Sequence, residues 1–156
     1  MIRKKLKELG FENFPELESL GSYRPYKLFN NLIFISGQLP LKDKKLLATG
    51  KITSDVDLKN AIKIINLTTS NLLNVLEFAI NQNKLDINKI SCLNIRGYLN
   101  TDESFKDHSI LFNHCSELVV KILGEKSGSH TRSVIGVKNL PLNSPVEIEA
   151  IFSLNK

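Results

Sequence analysis

The chain has 156 residues, 42% of them hydrophobic, which is enough for one domain with a buried core. Its formal net charge of +5 at pH 7 comes mainly from the segments RKKLK and KDKK. Lysine runs of that kind are usually solvated, and few aromatic residues lie near them, so nucleic acid is not the favoured partner. No apolar run is long enough to span a membrane, and the basic N-terminus lacks the apolar stretch of a secretory signal.

The two cysteines, Cys92 and Cys115, stand far apart in the sequence and lack the spacing of metal ligands. His114 adjoins Cys115, but adjacent residues of a helix point about 100° apart, so the two do not form a ligand pair. We interpret both cysteines as reduced, buried thiols of a cytoplasmic protein. The sequence therefore predicts no metal site.

The first half of the chain predicts a hairpin followed by a long helix. In YKLFNNLIFISGQLP, two β-rich arms flank Asn30 and Asn31, and asparagine tolerates the positive φ of a two-residue turn. The segment LLATGKI predicts a short extra strand. Ser54 and Asp57 then resemble a capping box, which predicts a helix that extends to about Ile80.

The second half predicts a strand over residues 90–100, a helix over 105–123, and two last strands over 132–138 and 145–154. In the first of these strands, alternation predicts that Leu93 and Ile95 share one face and that Cys92 and Arg96 share the other. Gly124 is the expected C-cap of the helix, because glycine accepts the backbone conformation that ends helices.

The order β-β-(β)-α-β-α-β-β predicts an α+β fold, in which two helices pack on one face of a mixed sheet. No repeat or linker divides the chain, so residues 1–156 form a single predicted domain. Helices cover one face of the sheet, and the other face must meet solvent or another subunit. Because that second face carries apolar residues, we expect a cyclic oligomer.

One arginine and two glutamates stand out in the last two predicted strands. Glu147 and Glu149 share a face, and Arg132 shares a face with Gly136 in the preceding strand. If the two strands are neighbours, Arg132 can lie beside one glutamate, where it could bind a substrate carboxylate while the glutamate polarises a water. A surface salt bridge between Arg132 and Glu149 is the simpler interpretation from spacing alone, and Glu147 is interpreted as structural.

Four segments resemble the Rid family of reactive intermediate deaminases, also called the YjgF family. The segments are LGSYRPYKLFNNLIFISGQLPL, RGYLN, FNHCSEL and TRSVIGVKNLPLNSPVEIEAIF. The resemblance covers about residues 18–154 and is closest to a longer branch of the family. Residues 1–17 are then an N-terminal extension.

The resemblance implies a fold like that of chorismate mutase and a homotrimer with three clefts between its subunits. It also implies hydrolysis of 2-imino acids to 2-keto acids and ammonia, without a metal or another cofactor. The expected partner is thus a small imino acid or a related carboxylate, in the cytoplasm.

The resemblance also assigns roles to individual residues. Arg132 matches the arginine that binds the substrate carboxylate, and Glu149 matches the glutamate that positions the hydrolytic water. Three further residues match positions that line the cleft: Tyr23, Ser36 and Asn113. The spacing from Asn113 to Arg132 is two residues longer than in typical members.

The chain departs from the family around the arginine. Val134 stands where a cysteine is usual, so a thiol role is not expected. His130 and Thr131 replace a Pro-Ala pair, which leaves the substrate open, and His130 itself is interpreted as a neutral loop histidine. Two alternatives to an enzyme acting on imines are a non-catalytic, carboxylate-binding regulatory trimer and an RNA-acting protein resembling endoribonucleases or translation inhibitors.

Overall fold

The computed structural model describes residues 1–12, 14 and 22–155. Part of the predicted N-terminal extension, over residues 1–17, and the first residues of the LGSY motif therefore lie outside the described residues. The helices and strands are α1 (Ile2–Glu8), β1 (Tyr26–Phe29), β2 (Leu32–Gln38), β3 (Leu41–Lys42), β4 (Lys45–Leu46), α2 (Leu58–Gln82), β5 (Ile90–Asn100), α3 (His108–Leu123), α4 (Glu125–Gly128), β6 (Thr131–Val137) and β7 (Val146–Leu154).

Five strands form one mixed sheet, in the order β1-β2-β7-β5-β6. Strands β5 and β6 run parallel, and the other described neighbours run antiparallel. Helices α2 and α3 pack on one face of this sheet, so the predicted α+β arrangement is confirmed. None of the described helices is both long enough and apolar enough to cross a membrane.

Helix α2 begins one turn later than a capping box at Ser54 would place it. Its N-cap is Asp57, whose side chain accepts a hydrogen bond of 2.8 Å from the backbone N–H of Asn60. Ser54 instead donates from its hydroxyl to Asp102, at 3.0 Å, in the turn before the helix. The prediction of the helix was correct, but the capping residue was wrong.

A β-bulge in β5 changes the alternation expected from the sequence. The pairing of β5 with β7 shifts register between Cys92 and Asn94. Cys92 is therefore buried in the core, whereas Leu93 is 41% exposed, and the faces predicted for these two residues were wrong. Beyond the bulge, Ile95 lies in the core and Arg96 on the opposite face, as predicted.

The predicted extra strand LLATGKI contributes only its beginning to a strand. Leu46, at the end of β4, pairs with Leu41 of β3 in a separate two-stranded hairpin. Asp43 and Lys44 form the tip of that hairpin with φ values of 52° and 63°. The segment then turns at Gly50, where φ is 101°.

Helix α1, within the predicted N-terminal extension, belongs to the hydrophobic core. Ile2 and Leu6 are fully buried against α2 and α3. The carboxylate of Glu77 on α2 accepts a hydrogen bond of 2.8 Å from the backbone N–H of Arg3 and lies 2.5 Å from the amine of Met1. A buried carboxylate thus meets the amide-rich start of α1, where negative charge is favoured.

The second face of the sheet carries no helix within the described residues. It presents apolar side chains such as Phe34 and Ile135, which are 38% and 52% exposed. Arg96, Glu147 and Glu149 lie on the same face, because cross-strand partners point the same way. This uncovered surface is called the open face below.

Candidate functional site

Arg132 lies on the helix-covered face of the edge strand β6. Its backbone partner in β5 is Ile95, whose partner in β7 is Ala150, and both of these residues are buried beneath the helices. Residues in register across a sheet point to the same face. The Arg132 side chain therefore extends toward α3, away from the open face.

Three neutral oxygens of α3 hold the guanidinium of Arg132. Its Nη1 donates to the hydroxyl of Ser116 at 2.9 Å, and its Nη2 donates to the carbonyl of Ser109 at 3.1 Å and to Oδ1 of Asn113 at 2.7 Å. The ring of Phe112 lies below it, with its centroid 5.9 Å from Cζ. Among the described residues no acid forms an ion pair with Arg132, so its charge is oriented but not neutralised.

The structure thus brings together Arg132 and Asn113, two of the residues that the resemblance assigns to the cleft. It adds Ser109 and Ser116, which the sequence analysis missed. The three α3 residues stand at positions i, i+4 and i+7, so they share one face of the helix. Ser109 contributes its backbone carbonyl, which a residue of any type could supply, so the available signal was only the i, i+3 spacing of Asn113 and Ser116. That spacing has meaning only once the helix is known to pack beside Arg132.

His130 approaches the same cluster from the turn before β6. Its Nδ1 lies 2.6 Å from the carbonyl oxygen of Gly128, and its Nε2 lies 3.0 Å from the hydroxyl of Ser116. The histidine therefore contacts the hydroxyl that also accepts from Arg132.

Glu149 lies on the open face and pairs with Arg96 rather than with Arg132. Arg96 Nη1 is 2.9 Å from Oε1 of Glu149, and the Tyr98 hydroxyl donates to the same oxygen at 3.1 Å. Strand β5 separates β6 from β7, so the condition that these two strands are neighbours is not met. The salt bridge considered between Arg132 and Glu149 is wrong for the same reason.

Glu147 lies two residues before Glu149 on the same face and is half-buried. Burial raises the pKa of its carboxyl, and the nearby charge of Glu149 raises that pKa further. Burial likewise raises the pKa of Tyr98, and Glu149 adds to this effect. A side chain at Gly37 would overlap the Glu147 carboxyl, so glycine in the SGQ motif leaves room for Glu147.

An open depression of about 330 Å³ lies on the open face and contains Glu149, Arg96 and Ser36 in its lining. The Ser36 hydroxyl donates to the carbonyl of Arg24 at 2.7 Å, which ties the preceding segment to β2. Tyr23, in that segment, is 49% exposed. Ser36 and Glu149 thus line one depression, whereas Arg132 and Asn113 form a second cluster on the other face.

The fold and these clusters define an α+β protein with a mixed sheet, one helix-covered face and polar groups on both faces. Comparison with known proteins agrees with this class. The model of the family described as "YjgF/chorismate mutase-like, putative endoribonuclease" matches residues 4–153. The chain therefore belongs to the YjgF/chorismate mutase-like family, as the resemblance predicted.

Several solved structures and one curated protein are similar to this chain. Atu1372 of Agrobacterium tumefaciens, a protein of unknown function, is 33% identical with a TM-score of 0.86, and the match covers 99% of this chain and 92% of that one. A putative endoribonuclease of Shewanella oneidensis is 28% identical with a TM-score of 0.88, over 99% of both chains. Protein TCP17 of Trypanosoma cruzi is 25% identical over 155 residues, which is 99% of this chain and 94% of TCP17.

Proposed function

We propose that this protein hydrolyses 2-imino acids to 2-keto acids and ammonia. The observation that carries the proposal is the guanidinium of Arg132, which is held by three neutral oxygens and has no acidic partner among the described residues. A positive charge in that state favours an anion, and the planar guanidinium matches a carboxylate. Membership of the family is consistent with this chemistry.

The open face supplies groups suited to the hydrolytic step. Arg96 and Tyr98 both contact Oε1 of Glu149, which orients the carboxylate and leaves Oε2 to accept a hydrogen bond from water. Glu147, with its raised pKa, is suited to carry a proton to the substrate nitrogen. After Glu147 has given its proton to the imine nitrogen, the water oxygen bonds to the imine carbon and gives one proton to Glu149, and the C=N bond becomes a C–N single bond. Glu149 passes that proton to the nitrogen, the new hydroxyl returns its proton to Glu147 as the C=O bond forms, and the C–N bond breaks to release ammonia.

A site that uses both clusters needs more than one copy of the chain. Arg132 and Glu149 point to opposite faces of one sheet, so a single copy does not present both to one small substrate. We propose a homotrimer in which the Arg132 cluster of one copy meets the open face of another. The exposed apolar residues Phe34 and Ile135 on that face favour burial between subunits. Tyr23, Ser36 and Asn113 are proposed to line the resulting cleft.

The activity is tested with 2-iminobutanoate generated in place by a dehydratase, with semicarbazide competing for the imine. The wild-type protein should accelerate formation of 2-oxobutanoate. Arg132→Ala should raise KM by tenfold or more, because it removes the carboxylate contact. Glu149→Gln and Glu147→Gln should each lower kcat by about a hundredfold, within the range typical of acid–base groups. If the wild-type protein forms 2-oxobutanoate no faster than Arg132→Ala, the proposal is refuted.

The same preparations separate the two alternatives. A non-catalytic binding protein would show a Tm raised by 2-oxobutanoate through Arg132, with no turnover. An RNA-acting protein, in line with the description of the Shewanella oneidensis relative, would cleave or bind RNA with an affinity that falls steeply with salt. In that case substitution of Lys42 or Lys45 on the β3–β4 hairpin would weaken RNA binding more than substitution of Arg132.

A further inference from the structure

We propose that His130, acting through Ser116, orients the guanidinium of Arg132 and is a positioning residue for carboxylate binding. The proposal rests on the proposed function, since it concerns the anion that Arg132 would hold. It differs from the sequence interpretation of His130 as an ordinary loop histidine. The three side chains form one hydrogen-bond chain that ends at a backbone carbonyl.

The direction of each hydrogen bond in this chain follows from donor and acceptor inventories. The Gly128 carbonyl can only accept, so the hydrogen of His130 lies on Nδ1, 2.6 Å away. Nε2 of the neutral ring is then an acceptor, and the Ser116 hydroxyl donates to it at 3.0 Å. The lone pairs of that hydroxyl remain free to accept from Arg132 Nη1 at 2.9 Å.

The Gly128 carbonyl, at which the hydrogen-bond chain ends, is itself held in place by close packing. Gly128 is buried, and a Cβ at this position would overlap the backbone of Val120 on α3. The backbone N–H of Gly128 donates to the carbonyl of Gly124 at 2.7 Å. The turn is thus packed directly against α3, so the carbonyl that accepts from the His130 ring has a fixed position.

The number of N–H hydrogens on Arg132 explains why the hydrogen bond from Nη1 to Ser116 is needed. Both hydrogens of Nη2 are used, one by the Ser109 carbonyl and one by Asn113. A carboxylate that binds two nitrogens must take an Nη2 hydrogen, and Asn113 is the partner able to leave, because it is an exposed side chain. Ser116, held by His130, then keeps the guanidinium plane in place during that exchange.

The first test is the tautomer of His130, measured by long-range ¹H–¹⁵N NMR at slightly alkaline pH in the full chain. The hydrogen-bond chain requires a neutral ring with its hydrogen on Nδ1. In Ser116→Ala the ring should lose the Nε2 hydrogen bond, with a corresponding change in the ¹⁵N shift. A ring protonated on Nε2 in the wild-type protein would overturn the proposal, whatever ligand the protein binds.

The second test is a double-mutant cycle on binding of 2-oxobutanoate, measured by calorimetry. Ser116→Ala and His130→Ala should each weaken binding about five- to tenfold, and the double variant should be no weaker than either one. Ser116→Thr keeps a hydroxyl and should bind like the wild type. His114→Ala, which removes another partly exposed histidine at α3, is the matched control and should have no effect.

The outcomes separate this proposal from the proposed function. If wild type and Arg132→Ala bind the keto acid equally, the carboxylate site fails, and the positioning role fails with it. If Arg132 is required but His130→Ala binds like the wild type, the positioning role alone is refuted. Additive losses in the double variant would also refute it, because two links of one chain cannot act independently.

Discussion

Replacing Asn113 with aspartate should block the Arg132 cluster with the chain's own carboxylate. The Asn113 amide oxygen lies 2.7 Å from Arg132 Nη2, within the distance of a charge-assisted hydrogen bond. An aspartate carboxylate in this position neutralises a guanidinium that otherwise contacts only neutral oxygens. We therefore expect Asn113→Asp to bind small carboxylates much more weakly than the wild type.

The magnitude follows from Coulomb's law. A ligand carboxylate on Arg132 would lie about 5 Å from the new aspartate, and two unit charges at that distance repel by roughly 1–3 kcal/mol at an effective dielectric constant of about 80 to 20. A free energy of 1.4 kcal/mol corresponds to a factor of ten in affinity. Binding should thus fall about 5- to 150-fold, and the loss should shrink as salt is raised.

The assay is calorimetric titration with 2-oxobutanoate, with Asn113→Ala as the matched control. The alanine variant frees Nη2 without adding charge, so its affinity should stay within about threefold of the wild type. Equal affinity of the aspartate variant and the wild type would show that Asn113 does not occupy the place of the ligand. An equal loss of affinity in both variants would show that Asn113 itself contacts the ligand, rather than releasing Arg132 Nη2 to it.

Three further predictions concern packing and charge. Gly97→Ala should lower the free energy of unfolding by about 1–3 kcal/mol in chemical denaturation, since its Cβ would overlap the buried Phe112 ring. Gly37→Ala should change stability by less than about 1 kcal/mol but lower kcat, because only the flexible Glu147 carboxyl must move; an unchanged kcat would argue against a role for Glu147. Burial acts to raise the pKa of Glu77, but hydrogen bonds from the start of α1 outweigh burial and leave that pKa lowered. The Glu77 carboxylate therefore stabilises the fold at pH values above the ordinary carboxyl pKa, and this stabilisation is lost on acidification. Glu77→Gln should lower the free energy of unfolding near neutral pH by about 1–3 kcal/mol, with a lower Tm. In thermal melts of this variant, the Tm should fall less on acidification than the Tm of the wild type.

The sequence by itself determined the two long helices α2 and α3, the strands of the five-stranded sheet, their order along the chain, and the family. Hydrophobic periodicity identified α2, α3 and the alternation of β7, because residues that share a face repeat at 3.6 or at 2 along the chain. The motif from Arg132 to Phe152 then indicated the family, which the comparison confirmed. These features are local in sequence, so neither required a knowledge of which strands are neighbours.

Only the tertiary structure decided which charged groups meet. Strand β5 lies between β6 and β7, so Glu149 pairs with Arg96, and Arg132 meets Ser109 and Ser116 across the helix layer. The bulge at Leu93 likewise depends on pairing with β7. Strand order and register are set by contacts between segments far apart in the chain, and the spacing within any one segment carries no record of its neighbours.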